Sequence, residues 1–257
     1  MTLPFQRALI TGASAGIGEE FVHQLSRAGI PCVLVARRGD RLEQLAEQYS
    51  TCEVLVADLL TAEGIARVAQ RLASPTLPVD LLVNNAGFGS SGTFLSVPVN
   101  NSTGQIDLNV RALVELSHAA LHAFQERKRG YLLNLSSVAI FQSVPGMAVY
   151  SATKAFVTSF SEALHEELRK SPVHVSALCP GFVRTEFQEV AQTGAEIDSI
   201  PKFMWLNIAN VVSEALAGTA KGKALIVPGT QYKSMLMWVR LVPRVVMRRV
   251  SGKIVGI

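Results

Sequence analysis

Seven runs rich in Val, Leu and Ile, at 7–11, 32–36, 54–57, 81–84, 131–135, 173–179 and 224–227, alternate along this 257-residue chain with helix-length segments at 16–28, 40–49, 62–72, 105–126, 150–170 and 208–220. Most of the runs are too apolar to keep one face in water, which is the signature of strands buried on both sides. Buried strands that alternate with helices form a parallel sheet with a helix in each crossover. The predicted fold is therefore α/β, a single doubly wound Rossmann-type domain with a parallel seven-stranded sheet and helices on both faces. In such a sheet ligands bind outside the carboxyl ends of the strands, where the winding reverses. A composition 49% hydrophobic and 17% charged suits one large core. The expected organisation is a catalytic domain over 1–230, with a substrate lid at about 185–206, and a basic amphipathic tail of the same domain over 231–257.

The first run leads into Thr11-Gly12-Ala13-Ser14-Ala15-Gly16-Ile17-Gly18 and then an amphipathic helix. Gly12 permits a tight turn, Gly16 lets backbone approach a diphosphate, and Gly18 lets the helix pack close to the sheet. Free N–H groups at the helix start suit phosphate oxygens, so Gly12, Ser14, Gly16, Ile17 and Gly18 are assigned to a dinucleotide turn. At the end of the second run stand Arg37 and Arg38, where an NAD-binding domain presents a carboxylate to the adenosine ribose. Guanidinium groups there suit a 2′-phosphate, so the expected cofactor is NADP(H). Asp58 follows the third run, placed either to accept from the adenine amino group or to cap the next helix.

Tyr150 and Lys154 open a predicted helix at a spacing of four, which puts phenol and ammonium on one face. Lys154 and an oxidised nicotinamide would together stabilise a tyrosinate, lowering the Tyr150 pKa and fitting it for general acid or base work. Ser137, at the end of the fifth run, is placed to hydrogen-bond a substrate oxygen as charge develops on it. Asn109 lies inside a predicted helix, and its residue type alone points to a solvated side chain or a local backbone contact.

With these residues the sequence resembles the short-chain dehydrogenase/reductase family, in the branch with a T-G-x-x-x-G-x-G turn. The matching elements are Thr11 to Gly18, Asp58, Asn84-Asn85-Ala86-Gly87, Asn109, Ser137, Tyr150-x-x-x-Lys154 and Pro180-Gly181-x-Val183-x-Thr185, in the family's order and spacing. The resemblance implies that Tyr150 transfers a proton, that Lys154 also bonds the nicotinamide ribose, that Ser137 polarises the carbonyl and that Asn109 supports a water-linked proton relay. It further implies that Asn85, Ala86 and Gly87 border the adenosine side and that Val183 and Thr185 contact the nicotinamide carboxamide, with Pro180 and Gly181 in the same cofactor segment. It suggests a homodimer or homotetramer through 105–126 and 150–170. The expected activity is NADP(H)-dependent reduction of an apolar carbonyl compound. Oxidation of an alcohol by the same residues is the alternative, and a non-catalytic cofactor-binding regulator is disfavoured by the intact Asn109, Ser137, Tyr150 and Lys154 set.

The net charge of +4 is unevenly spread, because no acid follows Glu214 while eight basic residues do, leaving 16 basic against 20 acidic residues in 1–214. Basicity thus belongs to the C-terminal end and gives no motive for nucleic-acid binding. In the tail, Arg240, Arg244 and Arg248 recur every four residues among Met235, Leu236, Trp238 and Leu241, with Pro243 expected to break the helix. Such a segment can cover the substrate pocket, form an oligomer interface or lie on an anionic membrane surface. Cys32, Cys52 and Cys179 are scattered singly and favour a reducing compartment; with no room for a signal peptide before residue 7, a cytoplasmic chain, with peripheral membrane contact open, is expected. His118 and His122 have a metal-compatible spacing but no third ligand, so no metal is expected; His165-Glu166-Glu167 reads as helix surface. Cys179, before Pro180, reads as a small buried hydrophobe. Phe187, Ile197, Ile200, Pro201, Phe203, Met204 and Trp205 in the lid, with Phe88, Phe94, Phe141, Val144 and Met147, predict an apolar substrate pocket.

Overall fold

The computed structural model describes residues 2–141, 144–191 and 200–241. Seven parallel strands form one sheet in the order β3-β2-β1-β4-β5-β6-β9. They are β1 (Ala8–Thr11), β2 (Cys32–Ala36), β3 (Glu53–Val56), β4 (Leu81–Asn84), β5 (Gly130–Leu135), β6 (Val173–Leu178) and β9 (Leu225–Ile226). A second, two-stranded sheet pairs β7 (Phe182–Val183) with β8 (Trp205–Leu206). The winding reverses between β1 and β4, which opens the crevice where a dinucleotide domain binds its ligand.

The apolar strands serve two cores at once, because successive side chains leave opposite faces. Ala8, Ile10, Cys32 and Leu34 pack with α1 (Gly16–Arg27), α2 (Gly39–Gln48) and α8 (Ile208–Ala220), whereas Leu9, Val33 and Val35 pack with α3 (Ala62–Ala73) and α5 (Leu113–Glu126). Helix α6 (Ala148–Glu167) joins the second layer through Leu164. The chain edges are tied across these layers: Asp80, nearly buried, accepts from the backbone of Gln6 and Arg7 and from Arg129 Nε at 2.8 Å.

The helix expected at 105–126 begins earlier, as α4 (Val99–Ile106), and reaches α5 through a π-helical turn over Asp107–Ala112. A π turn bulges the helix by one residue and redirects side chains, and here it points Asn109 inward. The short helix α7 (Phe187–Val190) follows β7, and α9 (Thr230–Leu241) closes the described chain. Pro243, Arg244, Arg248 and Ile197 lie outside the described residues, as does most of the tail. Tyr232, from the start of that tail, is fully buried: its hydroxyl donates to Met204 O at 2.7 Å and accepts from Phe182 N at 3.0 Å. Among the described residues no helix is long and apolar enough to cross a membrane.

Candidate active site

The glycine turn is built for backbone approach. Gly12 and Gly16 both adopt positive φ, +65° and +57°, which a side chain would strain. A Cβ at Gly18 would stand 2.2 Å from Gly12 O and 2.5 Å from Asn85 Nδ2, so no other residue fits there. Asn85 Nδ2 donates to Thr11 O and Gly12 O at 2.9 and 3.2 Å, and the Thr11 hydroxyl accepts from Asn85 N and Ala86 N while donating to Val83 O. The loop after β4 therefore holds the turn after β1 in place. At the start of α1, Ala15 occupies the N-cap and offers no side-chain acceptor. The first N–H groups of the helix, at Gly16, Ile17 and Gly18, are left to an external acceptor, and an anion is the group the helix dipole favours.

Arg38 reaches back over this turn. Its guanidinium donates to Ser14 Oγ and Ser14 O, each at 3.2 Å, and pairs with Glu186 at 2.9 Å. Arg37 beside it is exposed. Asp58 Oδ1 accepts from Leu60 N at 3.0 Å, a turn ahead of α3, and the helix cap itself is Thr61, which accepts from Gly64 N. The capping alternative at Asp58 thus resolves into a local turn with the cap three residues on.

Across the crevice, Tyr150, Lys154 and Asn109 converge on the loop after β4, at Gly89 and Gly87. Ser137 lies two residues beyond the end of β5, not within it; its Oγ accepts from Ala139 N at 3.1 Å, and it stands near enough to Tyr150 to act on the phenol. Lys154 Nζ stands 5.8 Å from the centre of the Tyr150 ring and donates to Leu135 O at 2.7 Å. A Cβ at Gly87 would be 2.8 Å from Asn109 Oδ1 and 3.5 Å from Lys154 Nζ, so these two groups share one small space. Asn109 is 1% exposed; it accepts from Phe88 N at 3.1 Å and donates to Phe88 O at 2.9 Å and to Thr153 Oγ1 at 3.1 Å. It clamps the loop, which a solvated helix asparagine would not do.

The expected lowering of the Tyr150 pKa is not a property of the protein alone. Burial pushes the phenol up to about 12, with the Ser137 hydrogen bond opposing it. Burial brings the Lys154 ammonium down to about 8. The reason is that both groups are withdrawn from water, which disfavours the charged form of each. A phenol in this state stays neutral at pH 7 and is fitted to give up a proton rather than take one.

Residues 180–191 form the front wall. Pro180 O accepts from Val138 N at 3.1 Å, and a Cβ at Gly181 would stand 1.9 Å from the Tyr232 ring, so this glycine serves the packing of α9. Val183 is buried and its carbonyl accepts from Gln188 Nε2 at 2.6 Å. Thr185 sits over the glycine turn: its Cβ would be 3.1 Å from a Cβ at Gly16. Phe187 packs on Tyr150 with ring centres 5.4 Å apart.

Residues 6–196 match the short chain dehydrogenase family. The chain belongs to that family. It is an oxidoreductase, and a very similar fold is seen in a short-chain dehydrogenase from Sphingobium yanoikuyae in complex with NADPH, 33% identical, with 91% of this chain and 93% of that one covered and a TM-score of 0.81. An uncharacterized oxidoreductase of Staphylococcus epidermidis is 32% identical over 81% of this chain and 90% of its own length. The very-long-chain 3-oxoacyl-CoA reductase of Anas platyrhynchos is 33% identical over 72% of this chain, which spans 62% of that relative.

For a short-chain dehydrogenase the sequence reading left several things out. Glu186 and Gln188 carry no motif; Glu186 pairs with Arg38, far away in the chain, and Gln188 bonds Val183 within its own loop. Phe94 and Phe203, expected to line a pocket, are 64% and 70% exposed. Trp205 packs against Phe182 and under Arg184. His118 and His122 face each other at 3.2 Å on an exposed helix face, and among the described residues no group of three or more metal-ligating side chains exists. His165 bonds Val175 O, linking α6 to β6, and Cys179 is fully buried.

Proposed function

We propose that this short-chain dehydrogenase is a single catalytic domain that uses NADP(H) to reduce the carbonyl of an apolar substrate. The observation that carries the reading is the convergence of Tyr150, Ser137, Lys154 and Asn109 opposite a glycine turn whose helix start lacks a cap. When bound, NADPH supplies the hydride. The N–H groups of Gly16, Ile17 and Gly18 hold the diphosphate, Arg38 with Arg37 holds the 2′-phosphate, and Asp58 with Ala86 borders the adenosine. Thr185 and Val183 close over the nicotinamide end, and the Lys154 ammonium holds its ribose.

Ser137 Oγ donates to the substrate carbonyl oxygen and strengthens that bond as negative charge grows there. Tyr150, neutral at the working pH, gives its phenolic proton to the same oxygen. Lys154 stabilises the resulting tyrosinate, and Asn109 keeps the loop at Phe88 closed so that a proton can return from water. Phe187, Phe88 and Met147 supply an apolar wall, which favours a ketone, aldehyde or acyl compound with a bulky chain; the relative named as a 3-oxoacyl-CoA reductase fits that chemistry. A second copy of the chain packed on α5 and α6 is the expected assembly.

Fluorescence titration with NADPH and NADH, followed by a screen of apolar ketones and aldehydes for loss of nicotinamide absorbance, tests this reading. Tighter NADPH binding with turnover is expected. Binding of neither cofactor would overturn it, and preference for NADH would overturn the role of Arg38.

A further inference from the structure

Cys32 and Cys52 are far apart in the sequence, but the sheet sets them side by side. In the parallel pairing of β2 with β3, Val33 lies opposite Glu53 and Leu34 opposite Val54. One residue earlier, at the amino ends of both strands, Cys32 therefore stands opposite Cys52. In-register residues of parallel neighbours leave the same face of the sheet, and their backbones lie about 4.8 Å apart. That falls inside the span of about 4.4–6.8 Å between Cα atoms that a disulfide bridges.

The side chains agree with the backbone. Ser26 Oγ on α1 is 3.8 Å from Cys32 Sγ and 3.5 Å from Cys52 Sγ, so one hydroxyl touches both sulfurs. Both cysteines are free thiols; Cys32 is fully buried and Cys52 half-buried. The adjacent Cys32 side chain, helped by Ser26, holds Cys52 below the ordinary thiol range, while the Cys32 thiol itself donates to Ile30 O at 3.4 Å. The neighbouring Cys52 sulfur, and burial, push Cys32 far up. The outer sulfur thus has the thiolate character that oxidants attack, and the inner one waits against it. These residues sit at the strand ends remote from Arg38 and Asp58, and the proton chemistry of Tyr150 makes no use of them.

We propose that Cys32 and Cys52 form a redox-modifiable dithiol that closes to an intramolecular disulfide when a peroxide reaches Cys52. The Cys52 thiolate attacks one peroxide oxygen; the O–O bond breaks, the sulfur becomes a sulfenic acid, and the departing hydroxide takes a proton to become water. Cys32 then attacks the Cys52 sulfur, the S–S bond forms as the S–O bond breaks, and the proton of Cys32 leaves with the hydroxide as a second water. Two thiols are oxidised and one peroxide is reduced. A dithiol reductant reverses the step by thiol exchange.

The experiment treats the reduced, full-length protein with hydrogen peroxide, quenches with catalase, denatures in N-ethylmaleimide, and reads intact mass and peptide maps. The expected result is loss of two of the three maleimide labels, at Cys32 and Cys52, a mass lower by two hydrogens before labelling, and full recovery with dithiothreitol. Cys179 keeps its label. In Cys32→Ser, dimedone should trap a sulfenic acid at Cys52, and in Cys52→Ser the Cys32 label should survive the same dose. Conversion of Cys52 to a sulfinic acid with Cys32 still labelled would overturn the proposal. So would retention of all three labels at a dose that oxidises free glutathione completely, or disulfides found only between chains.

Discussion

Replacing Arg38 by alanine should separate the binding of NADPH from that of NADH. A unit charge pair at about 4 Å is worth about 1 kcal/mol in water and about 4 kcal/mol at the effective dielectric of a protein surface. The Arg38 side chain is 47% exposed, so a contact with the 2′-phosphate belongs in the lower part of that range, at about 2–3 kcal/mol for a group of nearly two charges. The free protein already offers the guanidinium a carboxylate, Glu186 at 2.9 Å. Giving up that pair costs about 0–1 kcal/mol, the usual worth of an exposed ion pair. The net loss in Arg38→Ala is then about 1–3 kcal/mol, or about 5–150-fold in the NADPH dissociation constant.

NADH lacks the phosphate and should bind the variant within about 2-fold of wild type, an energy near 0.4 kcal/mol. Glu186→Gln removes the competitor and should tighten NADPH by up to about 5-fold, since the pair it breaks is worth at most about 1 kcal/mol. Fluorescence titrations of both cofactors at fixed ionic strength measure these constants. Equal weakening of NADPH and NADH in Arg38→Ala would refute the reasoning, because it would mean that the bonds to Ser14 shape the turn and that no phosphate is read. Weaker NADPH binding in Glu186→Gln would refute the competition, making Glu186 a support for Arg38.

Tyr150→Phe should lower turnover of a carbonyl substrate by about 10²–10⁴-fold, the usual worth of a general acid, with the NADPH dissociation constant unchanged in titration. Lys154→Met should raise stability at pH 7 and lose that advantage by pH 10, read from urea unfolding: the lysine, at about 8 folded against 10.5 ordinarily, binds its proton more tightly in the unfolded chain, so its burial penalty is present below about pH 8 and fades as pH climbs toward 10.5. Tyr232→Phe strips the partners from Phe182 N and Met204 O; each buried orphan costs about 1–3 kcal/mol, and thermal denaturation should show a lower midpoint with the far-UV spectrum retained.

The sheet was legible because each apolar run had to be buried on two faces, and one architecture does that for parallel strands. The observed ends of β2, β4 and α8 coincide with the predicted ones. Helix α4 escaped the reading because Val99-Asn100-Asn101-Ser102-Thr103-Gly104 has poor helix propensity; contacts override it, with Ser102 and Gln105 buried and Gly104 placed against Phe88. The π turn has no periodic signature, so the inward turn of Asn109 was visible only through family resemblance. Pairings that depend on register were hidden for another reason. Cys32, which opens β2, meets Cys52, which precedes β3 by one residue, because the two strands pair at an offset of 20 positions, and spacing in the sequence says nothing of that until β2 is known to lie beside β3.

The site is fixed unequally from its two sides. Behind the catalytic residues, Asn84 and Asn134 bond each other and reach Ser117 and Ser161, and Ser136 Oγ holds Lys154 O and Thr158, all buried. A broken bond in that layer leaves an unsatisfied group in low dielectric, so Tyr150 and Lys154 hold their places at high cost to any rearrangement. In front, the wall from Thr185 to Ala191 is held by the exposed Arg38–Glu186 pair, by Gln188 and by Phe187 on Tyr150. Exposed bonds exchange readily for water or for a phosphate. Thr185 stands over Gly16 of the glycine turn, and the neighbouring Glu186 pairs with the guanidinium that the proposed function gives to a 2′-phosphate. On the proposed reading, a 2′-phosphate that takes the Arg38 guanidinium would release Glu186 from the front wall, while the buried bonds behind Tyr150 and Lys154 stay as they are.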